Sequence, residues 1–205
     1  AEGQKKSAIL IAEGERESAI LRADAEKQAA ILKAEAEKEA AILRAAGQAE
    51  AIRVVQQALA DSLASVQARA ALRNQDFVLE ADNVQFRNGN TVFVNSSTNF
   101  ISVKGNRAVV QISPSNYYSG PNGLGGVTVD GYVSEPQVKI DSKGRITYSM
   151  NVTGIGINAQ VEIYMYPNSS QATATVYPNF NSNTVWVDGT IVPYDSSDVF
   201  EGTSL

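Results

Sequence analysis

The chain has 205 residues, with 17 Lys and Arg against 22 Asp and Glu, and it contains neither His nor Cys. A net charge of −5 argues against nucleic acid, which needs a basic footprint, and against docking on anionic lipid by charge. Without His or Cys the commonest general base, the commonest transition-metal ligand and every thiolate or disulfide are missing, so no enzyme, metal site or cofactor is expected.

The first third nearly repeats itself every 11 residues, as AEGQKKSAILI, AEGERESAILR, ADAEKQAAILK and AEAEKEAAILR, with a decaying fifth copy from Ala45 to Val55. Eleven residues make three helical turns at about 3.67 residues per turn, so the spacing predicts a long helix, straight or with a slight right-handed supercoil. At about 98° per residue the Ala1/Ala12/Ala23/Ala34 and Ala8/Ala19/Ala30/Ala41 columns fall within roughly 35° of each other. Ile9, Ile20, Ile31 and Ile42 flank them, while Leu10, Leu21, Leu32 and Leu43 stand on nearly the opposite side. Two narrow apolar seams on opposite sides suit a helix standing in a row with a like neighbour on each side. Self-association through these eight Ile and Leu is therefore expected, making a homo-oligomeric rod of about 70 residues and about 105 Å.

Over residues 1–59, and most closely from Ala12 to the closing AEAIRVV at Ala49–Val55, the chain resembles the helical stalk that follows the SPFH (band 7) domain in stomatin- and prohibitin-like proteins. The resemblance implies a large, membrane-attached homo-oligomer. Neither the SPFH domain nor its anchor is in this sequence, so any membrane tie is expected from a segment upstream. The first residue is Ala rather than Met, which points to a fragment, a processed product or a fusion.

Composition breaks near Arg73. Residues 1–73 balance 11 basic against 11 acidic residues and lack Asn, Pro and aromatics; residues 74–205 hold all of these, with 6 basic against 11 acidic. Between the two, Leu59, Leu63, Val66 and Ala70 form a stripe, and residues 59–73 read as an amphipathic collar packing on the C-terminal segment.

From Phe77 the period becomes two. Val84 and Phe86 lead through Asn88-Gly89-Asn90 to Val92 and Val94, a hairpin with its turn chemistry in place. Turns recur at Lys104-Gly105-Asn106, Asp141-Ser142-Lys143-Gly144, Asn168-Ser169-Ser170 and Asn179–Asn183. Between them alternate Arg107–Ile112, Gly126–Val133, Gln137–Ile140, Arg145–Val152, Ile157–Tyr166, Ala172–Tyr177 and Thr184–Val192. The fold class is thus α and β in separate segments: a hendecad-repeat helix (1–58), the collar (59–73) and an antiparallel β meander (74–205), barrel or sandwich.

NQDFVLEADNVQF (Asn74–Phe86), SGPNGLGGVTVDG (Ser119–Gly131), SMNVTGIGINAQVEI (Ser149–Ile163), YPNFNSNTVWVDGTIVP (Tyr177–Pro193) and DVFEGTSL (Asp198–Leu205) together resemble domain of unknown function 4251. That likeness spans roughly residues 62–205 and implies exported, often lipid-anchored proteins of Bacteroides-type bacteria; it supplies no activity and no catalytic residues. The cell envelope, periplasmic or membrane-associated, is the localisation it implies.

Within the β segment the Gly-rich stretch Gly120–Gly126 lacks the Lys-Ser/Thr of a phosphate loop and precedes a strand, so it reads as a turn. Tyr117, Tyr118 and Asn122 in this connection are the candidate contact residues, for an envelope protein or a glycan. Two functions from different classes fit this sequence. One is a non-enzymatic scaffold whose self-assembling stalk displays β modules; the other is a small-molecule or glycan-binding barrel tethered by a helix.

Overall fold

The structure, a computed structural model, describes residues 2–113, 127–155, 158–179 and 184–202. It divides into two units, Ala1–Gln57 and Ala58–Leu205. One helix, α1, runs from Glu2 to Asn74. Its Ala, Glu, Lys, Leu and Gln are strong helix formers, and no Pro interrupts it. The helix stops where Gln75 takes a left-handed φ of 56° and its N–H bonds back to the Leu72 carbonyl at 3.3 Å.

Nine strands come after it: β1 (Asp76–Phe86), β2 (Thr91–Phe93), β3 (Phe100–Lys104), β4 (Arg107–Ile112), β5 (Val127–Ile140), β6 (Ile146–Gly154), β7 (Asn158–Met165), β8 (Gln171–Pro178) and β9 (Val185–Pro193). All pairings are antiparallel, and β9 returns to β1 from Phe77↔Pro193 to Phe86↔Val185. That last ladder closes β1 and β3–β9 into an eight-stranded barrel. The extra strand, β2, pairs with the far half of β1 at Asn83–Gln85, on the same edge that β3 takes at Asp76–Glu80. Closure brings the two chains very close at Gly189, where an added Cβ would lie 2.0 Å from the Glu80 carbonyl oxygen.

The turns at Asn88–Asn90, Lys104–Asn106, Asp141–Gly144 and Asn168–Ser170 fall where the sequence places them, while Gly120–Gly126 and, beyond Asn179, the Asn179–Asn183 turn lie outside the described residues. Gly89, Gly105 and Gly144 each adopt positive φ, as does Asn168. One strand is longer than its pattern suggests. Gln137–Ile140 is not separate from the preceding strand; β5 runs on through a bulge between Ser134 and Gln137, where Glu135 has φ 53°.

Alternation sorts the side chains. Ile146, Tyr148, Met150 and Val152 on β6 and Val161, Ile163 and Met165 on β7 point inward, none more than 2% exposed. Phe77 and Tyr148 meet edge to face, with centroids 5.3 Å apart at 81°. Side chains with so little accessible surface pack against one another at the density of a protein interior.

The end of α1 belongs to this core, by a face other than the expected one. Ser65, Ala68, Ala71 and Leu72 are buried, the last three as part of the interior cluster, whereas Leu59, Leu63, Val66 and Ala70 are exposed. The buried face thus carries small residues around Leu72, and the larger Leu59, Leu63 and Val66 turn away. Arg69 reaches the β5–β6 turn, donating to the Gly144 carbonyl at 3.3 Å.

Candidate functional site

In the first unit the eight Ile and Leu of the two columns are between 48% and 72% exposed. Among the described residues of Ala1–Gln57 only Ala40 is even half-buried, so both seams are open. Tyr117, Tyr118 and Asn122 lie outside the described residues. The residues on either side of their connection, Ser113 and Val127, stand at the barrel end where β6 finishes and β7 begins. The α1 terminus enters at the other end, beside Gly144.

The outside of the barrel is divided in two. After β9 the chain makes a short 3-10 turn, Tyr194–Ser196, and crosses back along β1, β3 and β4 as a strap to Gly202. Val192, Tyr194 and Val199 pack on Val78, Phe100 and Val109, making a second small apolar core on the outer face. Gln111, fully buried, fastens the strap. Its amide donates to the Thr98 and Phe200 carbonyls at 3.0 and 2.8 Å, and its carbonyl oxygen accepts from the Thr128 hydroxyl at 2.8 Å and the Gly202 N–H at 2.7 Å. All four hydrogen-bonding positions of the amide are used. Ser197 closes the near end on Glu80, and the Phe200 N–H bonds the Ser97 carbonyl at 2.7 Å.

Charge lines the strap's border. Arg107 grips Asp130 with two hydrogen bonds, Nε to Oδ1 at 2.8 Å and Nη2 to Oδ2, with Glu201 of the strap 3.8 Å away. The hydrogen bonds to Asp130, and then its charge, hold the guanidinium above its ordinary pKa. Beyond this pair lies a shallow depression of about 500 Å³ beside Tyr132, Thr153 and Ile155. Tyr132 pairs across the sheet with both Arg107 and Thr153.

Away from the described strap, the outer faces of β7 and β8 and the Trp186 end of β9 carry aromatic rings among polar groups, while Val192 on β9 belongs to the strap's apolar core. Register places Trp186 opposite Thr175, and Thr175 opposite Glu162. Tyr177 on β8 and Tyr164 on β7 stand two residues to either side of that row, 43% and 46% exposed. Glu162 accepts from the Tyr164 hydroxyl at 3.2 Å and the Gln160 amide at 3.4 Å. Its charge, more than burial, raises the Tyr164 pKa above the ordinary phenol value. One step further, the Thr173 hydroxyl donates to Asp188 at 2.6 Å and lies 3.2 Å from the Tyr166 hydroxyl. Sequence pattern alone does not single out these residues, because an alternating Tyr and Thr strand is also ordinary sheet composition. The signal available was charge: no Lys or Arg occurs after Arg145.

Residues 60–191 match the family described as domain of unknown function (DUF4251). The chain belongs to the DUF4251 family. A solved structure of a DUF4251 family protein from Bacteroides eggerthii is 46% identical with a TM-score of 0.62, covering 70% of this chain and 96% of that one. Among curated proteins nothing matches. The DUF4251 match takes in the buried end of α1 and all nine strands as far as Ile191, and stops before the strap. It begins at residue 60, and nothing in these comparisons shows an SPFH-type stalk, so the repeats ahead of the DUF4251 barrel stand as a long helix.

Proposed function

We propose that this chain is a non-enzymatic scaffold: its helix assembles side by side with other copies and displays DUF4251 barrels as an array at the bacterial cell envelope. The carrying observation is the pair of open Ile and Leu columns on opposite sides of the first unit. A second copy is the fitting occupant because each column repeats every 11 residues, so two copies match over several repeats at once. Residues 1–73 are also electrically balanced, which leaves no net repulsion between helices. Covering each half-exposed Ile or Leu contributes on the order of 1 kcal/mol. The SPFH-stalk likeness of residues 1–59 points the same way. The Bacteroides source of the similar structure supports a bacterial setting, and the envelope placement rests on the exported character that the DUF4251 resemblance implies. No helix among the described residues is long and apolar enough to cross a membrane.

Display strengthens weak contacts, since neighbouring barrels raise each other's effective concentration at a repeating partner. Light scattering of the full chain in the micromolar range tests assembly. The wild type should form multimers, and the combined Ile20→Gln, Leu21→Gln, Ile31→Gln and Leu32→Gln chain should be a monomer with an unchanged barrel melt. A monomeric wild type refutes the scaffold.

A further inference from the structure

We propose that the exposed row Leu59, Leu63, Val66 and Ala70 of α1 is a contact between copies of this chain, each row packing on the same row of a second copy. The proposal rests on the scaffold reading and adds to it a face by which the DUF4251 units themselves meet. At about 100° per residue the four positions fall within about 60° of one another, and their centre lies opposite buried Ser65, Ala68, Ala71 and Leu72. The barrel therefore holds the helix by one side and leaves the other open. On that side Leu59, Leu63 and Val66 are each more than half exposed. Spacings of four, three and four residues make a single row, the form in which one helix packs lengthwise on another.

The 11-residue period points to the occupant. Leu59 and Ala70 fall in the column that carries Glu15, Glu26 and Glu37 in the repeats, and Val66 falls in that of Arg22, Lys33 and Arg44. The Ile and Leu columns run instead into Ala64 and Ser65, and Ser65 is buried against the barrel. Charged positions thus turn apolar where the self-association columns end, so the helix keeps a face for its own kind. In an array every neighbour carries an identical row at high effective concentration. Charge permits the pairing. Ser62 and Gln67 border the row, while Asp61 and Arg69 lie at least about a quarter turn from its centre. From Leu59 to Ala70 two like rows bring no like charges together, and an ionic partner finds no counter-charge among them. Three large side chains bury too little to hold two chains alone, since a stable interface covers at least about 1,000 Å². The row therefore pairs copies that the stalk has already gathered.

The chain has no Cys, so one introduced thiol reports the pairing. Full-length Val66→Cys, treated with a short bismaleimide at micromolar concentration, should give covalent dimers on a denaturing gel. Adding Leu59→Gln and Leu63→Gln should cut the dimer yield at least tenfold and leave the barrel melt unchanged. No dimer, an undiminished yield or a shifted melt overturns the proposal; a shifted melt would mean that the row belongs to the unit's own fold. Flotation with phosphatidylcholine vesicles that the same two Gln abolish would assign the row to lipid and likewise overturn it. Light scattering separates this failure from that of the scaffold. Multimers that give no Val66→Cys dimer refute the row alone, whereas a monomeric wild type refutes the scaffold and the pairing that depends on it. The four-Gln stalk variant should also lose the Val66→Cys dimer, and a dimer kept there would overturn the dependence on the stalk.

Discussion

Tyr148→Phe removes one oxygen from the barrel interior and leaves the rest of the side chain in place. Tyr148 is 0% exposed, and its hydroxyl has no hydrogen-bond partner among the described residues. A buried hydroxyl without a partner costs about 1–3 kcal/mol of desolvation. Phe keeps the edge-to-face contact with Phe77 and forfeits only a few tenths of a kcal/mol of dispersion. The variant should therefore be more stable by about 1–2 kcal/mol, a rise in Tm of roughly 3–8 °C for a domain of this size. The pH dependence is a second, independent reading. Burial pushes the Tyr148 hydroxyl up to about 12, against about 10 in an unfolded chain. Between these values the unfolded state loses a proton that the folded state keeps. The wild type is thus fully stabilised below pH 10 and loses stability as pH rises toward 12, by roughly 2–3 kcal/mol at most. Tyr148→Phe removes that loss, so the gap between variant and wild type should widen from pH 9 to 12 in urea titrations. A destabilised variant, or a gap independent of pH, would mean that the hydroxyl has a partner inside and that the interior holds water or a ligand.

Three further outcomes rest on the same geometry. Gln111→Ala strips four hydrogen bonds from beneath the strap and should cost about 3 kcal/mol in urea melts, with limited proteolysis now releasing the C-terminal segment; a strap that stays protected would show that Val199 and its apolar neighbours hold it unaided. Asp141 is held below the usual carboxylate range, first by its side-chain hydrogen bond from Arg145 and then by backbone N–H groups, so its contribution is present at neutral pH and lost as pH falls through its depressed value. Asp141→Ala should lower Tm at pH 7 and converge with the wild type in acid, and a constant difference would refute the assignment. Gln75→Gly relieves a left-handed residue at the end of α1 and should raise stability by about 0.5–1 kcal/mol in urea melts; unchanged or lower stability would refute the strain at Gln75.

What the sequence made legible was local. Asn88-Gly89-Asn90 and Asp141–Gly144 carry their turn geometry in their own residues, and β4, β7, β8 and β9 emerge from alternation within a residue or two of their ends. Two errors came from reading local signals too literally. Glu135-Pro136 looks like a strand break, yet a bulge absorbs both residues while the ladder with β6 resumes at Gln137. The Leu59, Leu63, Val66 and Ala70 stripe has helical spacing and larger side chains than its rival, yet Ser65, Ala68, Ala71 and Leu72 are buried. Hydrophobic periodicity measures what prefers burial, and small Ser and Ala permit the close approach of the helix that it does not register. Barrel and sandwich could not be separated either, because both give the same alternation. The distinguishing contact is the β1–β9 ladder, which joins Phe77 to Pro193.

The surface that matters for function depends on contacts longer still. Alternation along β4 states that Arg107, Val109 and Gln111 share the outer face, but it is silent on whether that face meets water. Gln111 is buried because Gly202, 91 residues later, folds back over it. Nothing near Gln111 in the chain encodes this, and an amide in VVQI is as compatible with solvent as with a cover. The same ignorance extends to the opposite side: alternation along β7 and β8 turns Tyr164 and Tyr177 outward, but only the folded barrel leaves them 46% and 43% exposed. A single apolar pair near the terminus, Val199 and Phe200, is the only local hint of the arrangement, and just one of the two, Val199, packs inward while Phe200 remains 61% exposed. The strap's apolar contact is thus small, and its hold depends on the Gln111 hydrogen bonds, whose geometry only the folded barrel supplies.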